Sequence, residues 1–354
     1  MPKHGVLVVG TGSIGERHLR CLAATGRVDV SLCEVDDERR RAVAEKYGIV
    51  RSYAEFDAAL ADRHDGAIIA TPAPLHVAMA TRLVQAGVHV LIEKPLSTTL
   101  EGTSQLQHLV DEQRTVAAVA YVYRAHPALQ AMRREIRDGR FGKPVQIVAV
   151  CGQHFPTYRP AYREIYYNSR ATGGGAIQDA LTHVINAGEY LLGPVDRVMG
   201  DAAHQVLDGV SVEDTVHVLA RHGSTMGCYS LNQHQAPNEI TITVVCERGT
   251  ARFEMHQARW RWMTEPGGQW HDAAEFSHER DAPFVAQAHA FLDAVEGKAP
   301  PLCSLAEGLQ TLHVNLAVLA ASDRPQWQVV GRASRLPDHG TSEDACPTNR
   351  PSSG

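Results

Sequence analysis

The sequence predicts an α/β domain followed by an α+β domain, and three observations lead to this prediction. In the first part of the chain, short apolar runs rich in β-branched residues alternate with amphipathic helical patterns. After Pro127, several strand-like runs follow one another with only short turns between them. The chain has 354 residues, which is too long for one typical domain and suits two. We therefore expect domains at 1–124 and 125–333, followed by a tail over 334–354.

The first domain is predicted as a parallel sheet with helices on both faces, because strands and helices alternate along it. Its second helix opens with acidic residues and closes at Gly48, as the helix dipole and C-cap preferences favour. The predicted strands are 5–10, 28–36, 66–72, 89–95 and 115–124, and the predicted helices are 14–26, 36–48, 76–87 and 100–113.

The second domain is predicted to contain an antiparallel sheet, since consecutive strands joined by short turns pair in this way. Gly249 and Thr250 lie between two strand-like runs and are interpreted as a hairpin turn. From Leu336 the tail is rich in Pro, Ser, Thr and charge, so we expect it to be disordered. The other predicted elements are helices at 127–139, 284–297 and 305–322 and strand-like runs at 144–150, 214–222, 225–234, 239–249, 250–256 and 259–265.

Composition excludes several classes of function. Apolar residues make up 44% and charged residues 21%, which is ordinary for a globular protein. The formal net charge is −6, and charges of both signs are dispersed along the sequence, so there is no basic stripe that would bind nucleic acid. Apolar runs fall short of the roughly 20 residues of a membrane helix, and the N-terminus has no signal-peptide layout, so we expect a cytoplasmic protein. The seven cysteines are scattered without a Cys-x-x-Cys pair, so we expect neither a disulfide framework nor a bound metal.

Gly10, Gly12 and Gly15 form a G-x-G-x-x-G pattern between the first strand and the first helix. In this context the pattern predicts a dinucleotide-binding turn. The first glycine allows the tight turn, the second lets the backbone approach a pyrophosphate, and the third allows close packing of helix on strand. Free N–H groups at the helix start, around Ser13 and Ile14, then face the phosphates.

Glu34, at the end of the second strand, is predicted to select NAD as the cofactor. A carboxylate there accepts hydrogen bonds from both ribose hydroxyls of an adenosine and repels a 2′-phosphate. Arg39 and Arg40 follow directly and could reach such a phosphate, so NADP is the less favoured alternative. A glycine-rich turn with an incidental acid is the purely structural interpretation.

Further candidates lie where later strands of the parallel sheet end, because ligands bind outside the carboxyl ends of such strands. Glu93 and Lys94 of "EKP" are predicted to face the cofactor crevice, where the ammonium can polarise a substrate hydroxyl or carbonyl oxygen. Thr71 and Pro72 close the preceding strand and are predicted to line the same edge with His76. His76 is equally well explained as a plain helix-start residue.

Asp179 and His183 follow a run of three glycines at 173–175. They lie four residues apart in apolar sequence and therefore project from one face of a helix predicted over 176–191. A polar pair on a half-exposed helix face is the structural alternative, and the glycines together with Lys94 favour the functional interpretation.

Five motifs, "GTGSIG", "ATPAPLH", "AGVHVLIEKPL", "YRAHP" and "GGGAIQDALTH", occur in this order. In them the sequence resembles the glucose–fructose oxidoreductase / inositol 2-dehydrogenase / MocA family over about residues 4–322. The resemblance implies a Rossmann domain followed by a domain with a large open antiparallel sheet. It also implies oxidation or reduction of sugars, cyclitols and their derivatives with NAD or NADP.

The family uses the lysine of EKP together with an Asp and a His at this spacing, which implies Lys94, Asp179 and His183 as catalytic residues here. A neutral imidazole titrates near pH 6.5, so His183 is expected to take the hydroxyl proton as hydride leaves the carbinol carbon. Lys94 is expected to hold the same oxygen and to disfavour a second positive charge on His183. Asp179 is expected to accept a hydrogen bond from the substrate or to orient the imidazole.

The resemblance also implies the substrate side of the site. Arg124 matches the family's arginine at the domain junction, and the segment 153–170 is expected to be a loop over the site. Its aromatic residues suit stacking on a sugar ring, and its arginines suit gripping hydroxyls or a phosphate. The candidate residues there are His154, Tyr158, Arg159 and Tyr162, and each is as well explained as a surface loop residue or a core-anchoring tyrosine. Outside this segment, Tyr123 and Gln178 are weaker candidates.

Two positions depart from the family's pattern. Leu181 stands where a small glycine is frequent, and Asn186 replaces a frequent aspartate three residues after the histidine. Neither belongs to the predicted catalytic trio, so the departures concern the substrate side.

The sequence therefore favours an NAD-dependent dehydrogenase or reductase acting on a sugar-like small molecule. Two alternatives stay open: a catalytically silent NAD(P)-binding sensor or scaffold, and an NAD-recycling glycosidase or epimerase on the same fold. Both faces of the second sheet are partly apolar, so we expect a homodimer or homotetramer through the face that the helices leave open.

Overall fold

The computed structural model describes residues 3–331, apart from 274, 275, 277, 278 and 325. It contains two sheets, and the predicted succession of an α/β and an α+β architecture is confirmed. The first sheet ends with a strand at Ala117–Val119 and the second begins with one at Pro144–Gly152, so the predicted boundary after residue 124, which stays a prediction, falls between them. The predicted disorder of the tail concerns residues outside the described part.

The first sheet has six parallel strands. Its elements are β1 (His4–Val9), α1 (Ser13–Ala24), β2 (Val28–Cys33), α2 (Asp37–Tyr47), β3 (Ser52–Tyr53), α3 (Phe56–Leu60), β4 (Gly66–Ile69), α4 (His76–Gln85), β5 (His89–Ile92), α5 (Thr103–Gln113) and β6 (Ala117–Val119). β3 and α3 are too short for a hydrophobic period to predict them. The strand order is β3-β2-β1-β4-β5-β6. The order reverses beside β1, so the loop after β1 opens at the topological switch point where such sheets bind ligands.

The second sheet has nine strands. The elements from residue 127 onward are α6 (Pro127–Arg137), β7 (Pro144–Gly152), α7 (Phe155–Tyr158), α8 (Thr182–Leu192), β8 (Arg197–Ala203), β9 (Thr215–His222), β10 (Thr225–Asn232), β11 (Glu239–Cys246), β12 (Gly249–Glu254), β13 (Arg259–Met263), β14 (His271–Asp272), α9 (Ala282–Val295), α10 (Leu305–Asp323) and β15 (Gln328–Val329). Of these, α9 packs against α1 and the core of the first sheet. The strand order is β14-β13-β12-β11-β7-β10-β9-β8-β15. All neighbours pair antiparallel except β7 and β10, which are parallel, so the sheet is mixed rather than purely antiparallel.

The two faces of the nine-stranded sheet differ. One face packs against α6, α8 and α10, where Leu129 and Tyr229 are among the fully buried side chains. The opposite face exposes Val150, Leu219 and Met226, which share a face because their strands pair in register. Among the described residues, no helix combines the length and apolarity needed to cross a bilayer.

The hairpin turn predicted at Gly249 and Thr250 is wrong by two residues. Gly249 pairs with Cys246 inside the ladder, and the turn consists of Glu247 and Arg248. A Cβ at Gly249 would lie 3.0 Å from the Phe141 ring. The glycine is therefore explained by close packing rather than by turn geometry.

We expect Gly15→Ala to destabilise the protein by about 1–3 kcal/mol, as overpacking typically does. Its methyl group would lie 1.9 Å from the carbonyl oxygen of Gly10 and would push α1 away from β1. A Cβ at Gly12 meets no atom within 4 Å, so Gly12→Ala is the matched control, with an expected cost below about 1 kcal/mol. Urea unfolding measures both, and equal losses would contradict this account of the turn.

Candidate active site

The turn between β1 and α1 has the geometry that a dinucleotide requires. Gly10 has φ +84°, and a Cβ there would lie 2.7 Å from a backbone carbonyl oxygen just after β4. Around Gly12, by contrast, the position of a Cβ is open, beside the start of α1. Ser13, the first residue of α1, is exposed, and Ile14 follows it. An anion at this helix start would meet free backbone N–H groups, so the residues present fit a pyrophosphate.

Glu34 lies next to this turn and is only 6% exposed. Its Oε2 accepts hydrogen bonds from the backbone N–H of Thr11 at 2.8 Å and from the hydroxyl at 3.1 Å, and its Oε1 accepts one from the N–H of Asp36. Burial opposes ionisation, but these backbone donors outweigh it and lower the pKa of Glu34 below its ordinary value. An ionised carboxylate therefore lies where an adenosine ribose would bind, and it disfavours a 2′-phosphate.

His76 was expected to contact the cofactor, and the structure corrects this. The ring is 1% exposed, with Nε2 2.7 Å from the Thr71 carbonyl oxygen and Nδ1 3.0 Å from that of Pro95. His76 therefore ties the loop after β4 to the loop after β5 and does not face a ligand. Thr71 and Pro72 remain accessible at the sheet edge.

Glu93 is also buried and acts within the protein rather than on a cofactor. Its Oε1 accepts a hydrogen bond from Nε2 of His18 on α1 at 2.7 Å, and its Oε2 accepts one from the backbone N–H of Lys94 at 2.9 Å. The carboxylate thus links the helix of the glycine turn to the loop that carries Lys94.

Lys94 and Asp179, predicted from distant parts of the sequence, are brought into contact. Nζ of Lys94 donates to the main-chain oxygen of Asp179 at 2.7 Å and to Oδ1 at 3.2 Å. Asp179 lies in a π-helical turn, Ile177–Leu181, that precedes α8, so the predicted continuous α-helix begins with a wider turn. Single π-helical turns of this kind are frequent at functional sites.

The Asp179 carboxylate is ionised although it is buried. Burial opposes the charge, but the positive charges of Lys94 and Arg159 and a hydrogen bond from Tyr166 hold the pKa of Asp179 below its ordinary value. Tyr166 donates this bond from its hydroxyl to Oδ1 at 2.6 Å. Sequence reasoning missed Tyr166, since nothing in "IYYNSR" distinguishes the tyrosine that points to the site from its neighbour.

His183 stands at the same site and is oriented by aromatic rings. It stacks on Tyr123 with ring centroids 4.8 Å apart and meets the edge of Tyr121 at 5.9 Å. Among the described residues, no hydrogen bond joins His183 to Asp179 and none reaches its buried Nδ1. Orientation of the imidazole by Asp179, one of the two predicted roles, is therefore not what the structure provides. Burial and then the charge of Lys94 lower the pKa of His183 to about 3, so the imidazole is neutral at neutral pH.

The glycine run explains how this helix start comes so close to its neighbours. A Cβ at Gly173, which has φ +90°, would lie 3.3 Å from the proline that follows Lys94. A Cβ at Gly174 would lie 2.2 Å from the carbonyl oxygen of Tyr167, and one at Gly175 would lie 2.4 Å from a carboxylate oxygen of Glu213. Each glycine therefore permits contact with a different part of the molecule.

Glu213 caps this helix start, and sequence reasoning gave no signal for it. Its carboxylate accepts from the backbone N–H of Ile177 at 3.2 Å and from Nε of Arg170 at 2.7 Å, while its carbonyl accepts from Ala176. Gln178, a weaker substrate candidate, is buried and donates to the carbonyl oxygen of Arg170, so it belongs to the same structural network.

Arg124 was expected to bind substrate, and its surroundings correct this. The residue is 2% exposed, and its guanidinium pairs with Glu307 and donates to Oδ1 of Asn186 at 2.8 Å and to the carbonyl oxygen of Leu302 at 3.0 Å. The guanidinium thus contacts α8, α10 and the segment just before α10, and Gln130 of α6 donates to the Arg124 carbonyl oxygen. Arg124 therefore stabilises the junction between α8 and α10.

The segment after β7 divides into structural and accessible residues. Tyr162 is 1% exposed and donates to the carbonyl oxygen of Asp208 at 2.7 Å, so it anchors the loop and the substrate prediction for it is corrected. His154 is partly exposed and contacts a nearby threonine, and Tyr158 is 50% exposed. Arg159 is exposed and has no ion-pair partner among the described residues, while its charge acts on the site.

A Rossmann domain whose crevice holds an ammonium, a carboxylate and a neutral imidazole defines a nicotinamide-dependent oxidoreductase. Residues 4–121 match the family model described as oxidoreductase family, NAD-binding Rossmann fold, and residues 129–252 match the Gfo/Idh/MocA C-terminal domain. The chain belongs to the Gfo/Idh/MocA oxidoreductase family, which confirms the resemblance read from its motifs.

Individual relatives agree with this assignment. The chain is 32% identical to UDP-N-acetylglucosamine 3-dehydrogenase of Acidithiobacillus ferrooxidans, over 89% of this chain and 96% of the relative. It is 29% identical to D-apiose dehydrogenase of Paraburkholderia graminis, over 61% of this chain and 57% of the relative. The structure of levoglucosan dehydrogenase in complex with NADH and levoglucosan superimposes with a TM-score of 0.85 at 21% identity, covering 93% of this chain and 100% of that one. This superposition shows the shared fold.

We expect the imidazole of His183 to stay neutral from pH 8 down to pH 5, whereas an ordinary histidine protonates near pH 6.5. Protonation would place a second positive charge in a buried site beside Lys94. Lys94→Met removes that charge and should raise the pKa of His183. NMR titration of the ring, assigned with His183→Asn, measures both values, and a wild-type midpoint near 6.5 would contradict the burial argument.

Proposed function

We propose that the protein is an NAD-dependent oxidoreductase that transfers hydride between the nicotinamide and a secondary hydroxyl or ketone of a sugar, cyclitol or sugar derivative. One observation carries the proposal. The ammonium of Lys94 is bound to Asp179 beside a neutral His183, at the carboxyl edge of a parallel sheet that also carries the glycine turn. These groups are the ones that oxidation of a carbinol needs.

In this proposal His183 takes the proton of the substrate hydroxyl during oxidation and returns it during reduction. Lys94 donates a hydrogen bond to the same oxygen and stabilises the negative charge that develops on it. A base whose pKa is about 3 is weak alone, so the transfer depends on Lys94 also lowering the pKa of the hydroxyl. Asp179 holds the ammonium of Lys94 in place, and it binds a second substrate hydroxyl.

The turn at 10–15 would hold the pyrophosphate of the cofactor, and Glu34 would hold the adenosine ribose. Bound NAD supplies the hydride acceptor. The ionised carboxylate of Glu34 supports NAD over NADP, because it opposes the additional phosphate. The positive charge of Arg39 is offset by this carboxylate, since Nη1 of Arg39 lies 3.7 Å from Oε2 of Glu34.

The substrate class is supported by what relatives are named for. A relative of 32% identity is named for a nucleotide sugar, and one of 29% identity is named for D-apiose. Exposed Tyr158 and Arg159, with partly exposed His154, support a polar, sugar-like substrate whose binding they assist.

The two alternatives predict different observations. A catalytically silent sensor or scaffold would bind the cofactor tightly without turnover, and the retained contact between Lys94 and Asp179 argues against it. An NAD-recycling glycosidase or epimerase would turn over its substrate without net change of the cofactor.

We expect nicotinamide reduction with at least one member of a panel of aldoses, inositols, sugar phosphates and nucleotide sugars. Lys94→Ala and His183→Ala should lower kcat by about 100-fold or more, the usual range for a lost proton-transfer group. Lys143→Ala and His256→Ala replace exposed residues of the same types and serve as controls. Absorbance at 340 nm measures the rates, and wild-type rates in both site variants would refute the assigned roles.

We further propose a homodimer or homotetramer that assembles through the open face of the nine-stranded sheet. Val150, Leu219 and Met226 are each about half exposed on that face, and the ladder register makes Leu219 and Met226 diagonal neighbours on paired strands. Adjacent exposed apolar residues are typical of interaction surfaces.

Static light scattering should therefore report a multiple of the 38.6 kDa chain mass. Leu219→Glu places a charge on the open face and should lower the measured mass. Val50→Glu changes a residue that is 94% exposed in the first domain, and it should leave the mass unchanged. A wild-type protein that is only monomeric would overturn this proposal.

We also propose a cytoplasmic location. The described residues include six free cysteines, five of them buried, and free thiols are typical of proteins in a reducing compartment.

A further inference from the structure

The two oxygens of the Asp179 carboxylate have different surroundings. Oδ1 accepts hydrogen bonds from both the hydroxyl of Tyr166 at 2.6 Å and Nζ of Lys94 at 3.2 Å. Among the described residues, no donor reaches Oδ2. Two donors on one oxygen fix the rotation of a carboxylate, and the other oxygen keeps its capacity to accept.

We propose that Tyr166 is a positioning residue that locks Oδ1 of Asp179 and thereby presents Oδ2 to a hydroxyl on the carbon next to the one that is oxidised. This inference rests on the proposed function and narrows the substrate class to vicinal diols. Lys94 places the reacting hydroxyl next to Asp179, because the same ammonium binds Oδ1 of Asp179 and is assigned to bind the reacting oxygen. The neighbouring hydroxyl of the substrate then lies within reach of the free carboxylate oxygen.

The backbone around Tyr166 is held so that its side chain keeps this direction. The hydroxyl of Thr172 donates to the carbonyl oxygen of Tyr166 at 2.6 Å, and the N–H of Gly174 donates to that of Ser169 at 2.8 Å. A Cβ at Gly174 would lie 2.7 Å from the Tyr166 carbonyl oxygen, so the glycine run allows this approach. Tyr166 is 40% exposed, so it can border the space that a substrate occupies.

Tyr166 can only donate toward Asp179. Burial of its hydroxyl and the adjacent Asp179 charge raise the pKa of Tyr166 well above its ordinary value, so the phenol stays protonated. The charged or titratable groups that face Asp179 are Lys94 from the loop after β5, Tyr123 from the segment after β6, Arg159, Tyr166 and Tyr167 from the segment after β7, and His183 from α8.

The first test compares oxidation at C1 of D-glucose and of 2-deoxy-D-glucose, because C2 is the only carbon next to C1 and its hydroxyl is absent from the second sugar. Formation of the lactone identifies oxidation at C1, and only this reaction is counted. We expect Tyr166→Phe to lower kcat/KM for D-glucose by about tenfold or more, the usual effect of losing a hydrogen bond to a charged group. The value for 2-deoxy-D-glucose should change little, so the preference for the diol falls. Tyr167→Phe removes the neighbouring hydroxyl, which contacts Gln233 rather than Asp179, and it should keep the wild-type preference.

If Tyr166→Phe lowers kcat/KM equally for both sugars, or for neither, the inference is overturned and the role of Tyr166 is structural. If the wild-type protein oxidises neither sugar, these sugars are not its substrates, and the result concerns the proposed function. An NMR titration without substrate then tests the positioning role of Tyr166. The carboxyl ¹³C resonance of Asp179, identified by its loss in Asp179→Asn, should titrate at higher pH in Tyr166→Phe than in wild type and Tyr167→Phe. If the Asp179 carboxyl titrates at the same pH in all three proteins, the Tyr166 hydroxyl does not hold this carboxylate and the inference is rejected.

Discussion

The close backbone approach at residues 173–175 is the constraint on which the site depends. Three side chains are missing in a row, and each gap is filled by a different partner: the loop after Lys94, the carbonyl of Tyr167 and the carboxylate of Glu213. A methyl group at either of the last two positions would overlap with these atoms. Because the helix start fits into this space, Asp179 reaches an ammonium that belongs to the other sheet. The glycines thus let the start of a helix from the second core meet a loop of the first sheet, beside α10, whose residues pack into both cores.

Once the helix start is in place, electrostatics decide the protonation states. Lys94 and Asp179 are both largely removed from water, and each compensates the desolvation cost of the other. His183 is buried beside the ammonium of Lys94, and its Nδ1 has no hydrogen-bond partner among the described residues. A positive charge on the imidazole would therefore be unfavourable there. The imidazole is therefore neutral, and it stacks on Tyr123 and meets Tyr121 edge to face instead of forming an ion pair. A neutral base next to a cation follows from the packing, and it is also the pair that hydroxyl oxidation requires.

The sequence predicts the parts of this site that depend on local pattern. Gly10, Gly12 and Gly15 follow a strand, and Lys94 ends one, so topology alone places them at one edge. Long-range pairing is different: nothing near Arg124 shows that it pairs with Glu307, 183 residues away. Likewise, a loop rich in tyrosine does not show which hydroxyl finds Asp208 and which finds Asp179. Such assignments depend on tertiary contacts, which bury Arg124 and Tyr162 among structural partners and bring Tyr166, a residue without a distinguishing sequence signal, to Asp179.

The junction behind the site explains one departure from the family's pattern. Asn186 accepts from Arg124 through Oδ1 and donates through Nδ2 to the hydroxyl of Thr311, which in turn donates to Glu189. An aspartate in its place could not donate, and it would add a negative charge near the buried Glu189, whose pKa burial already raises. Because Glu307 supplies the countercharge for Arg124, a neutral amide is the side chain that satisfies both neighbours. The same junction also holds α8 from behind, so His183 is presented from a rigid helix.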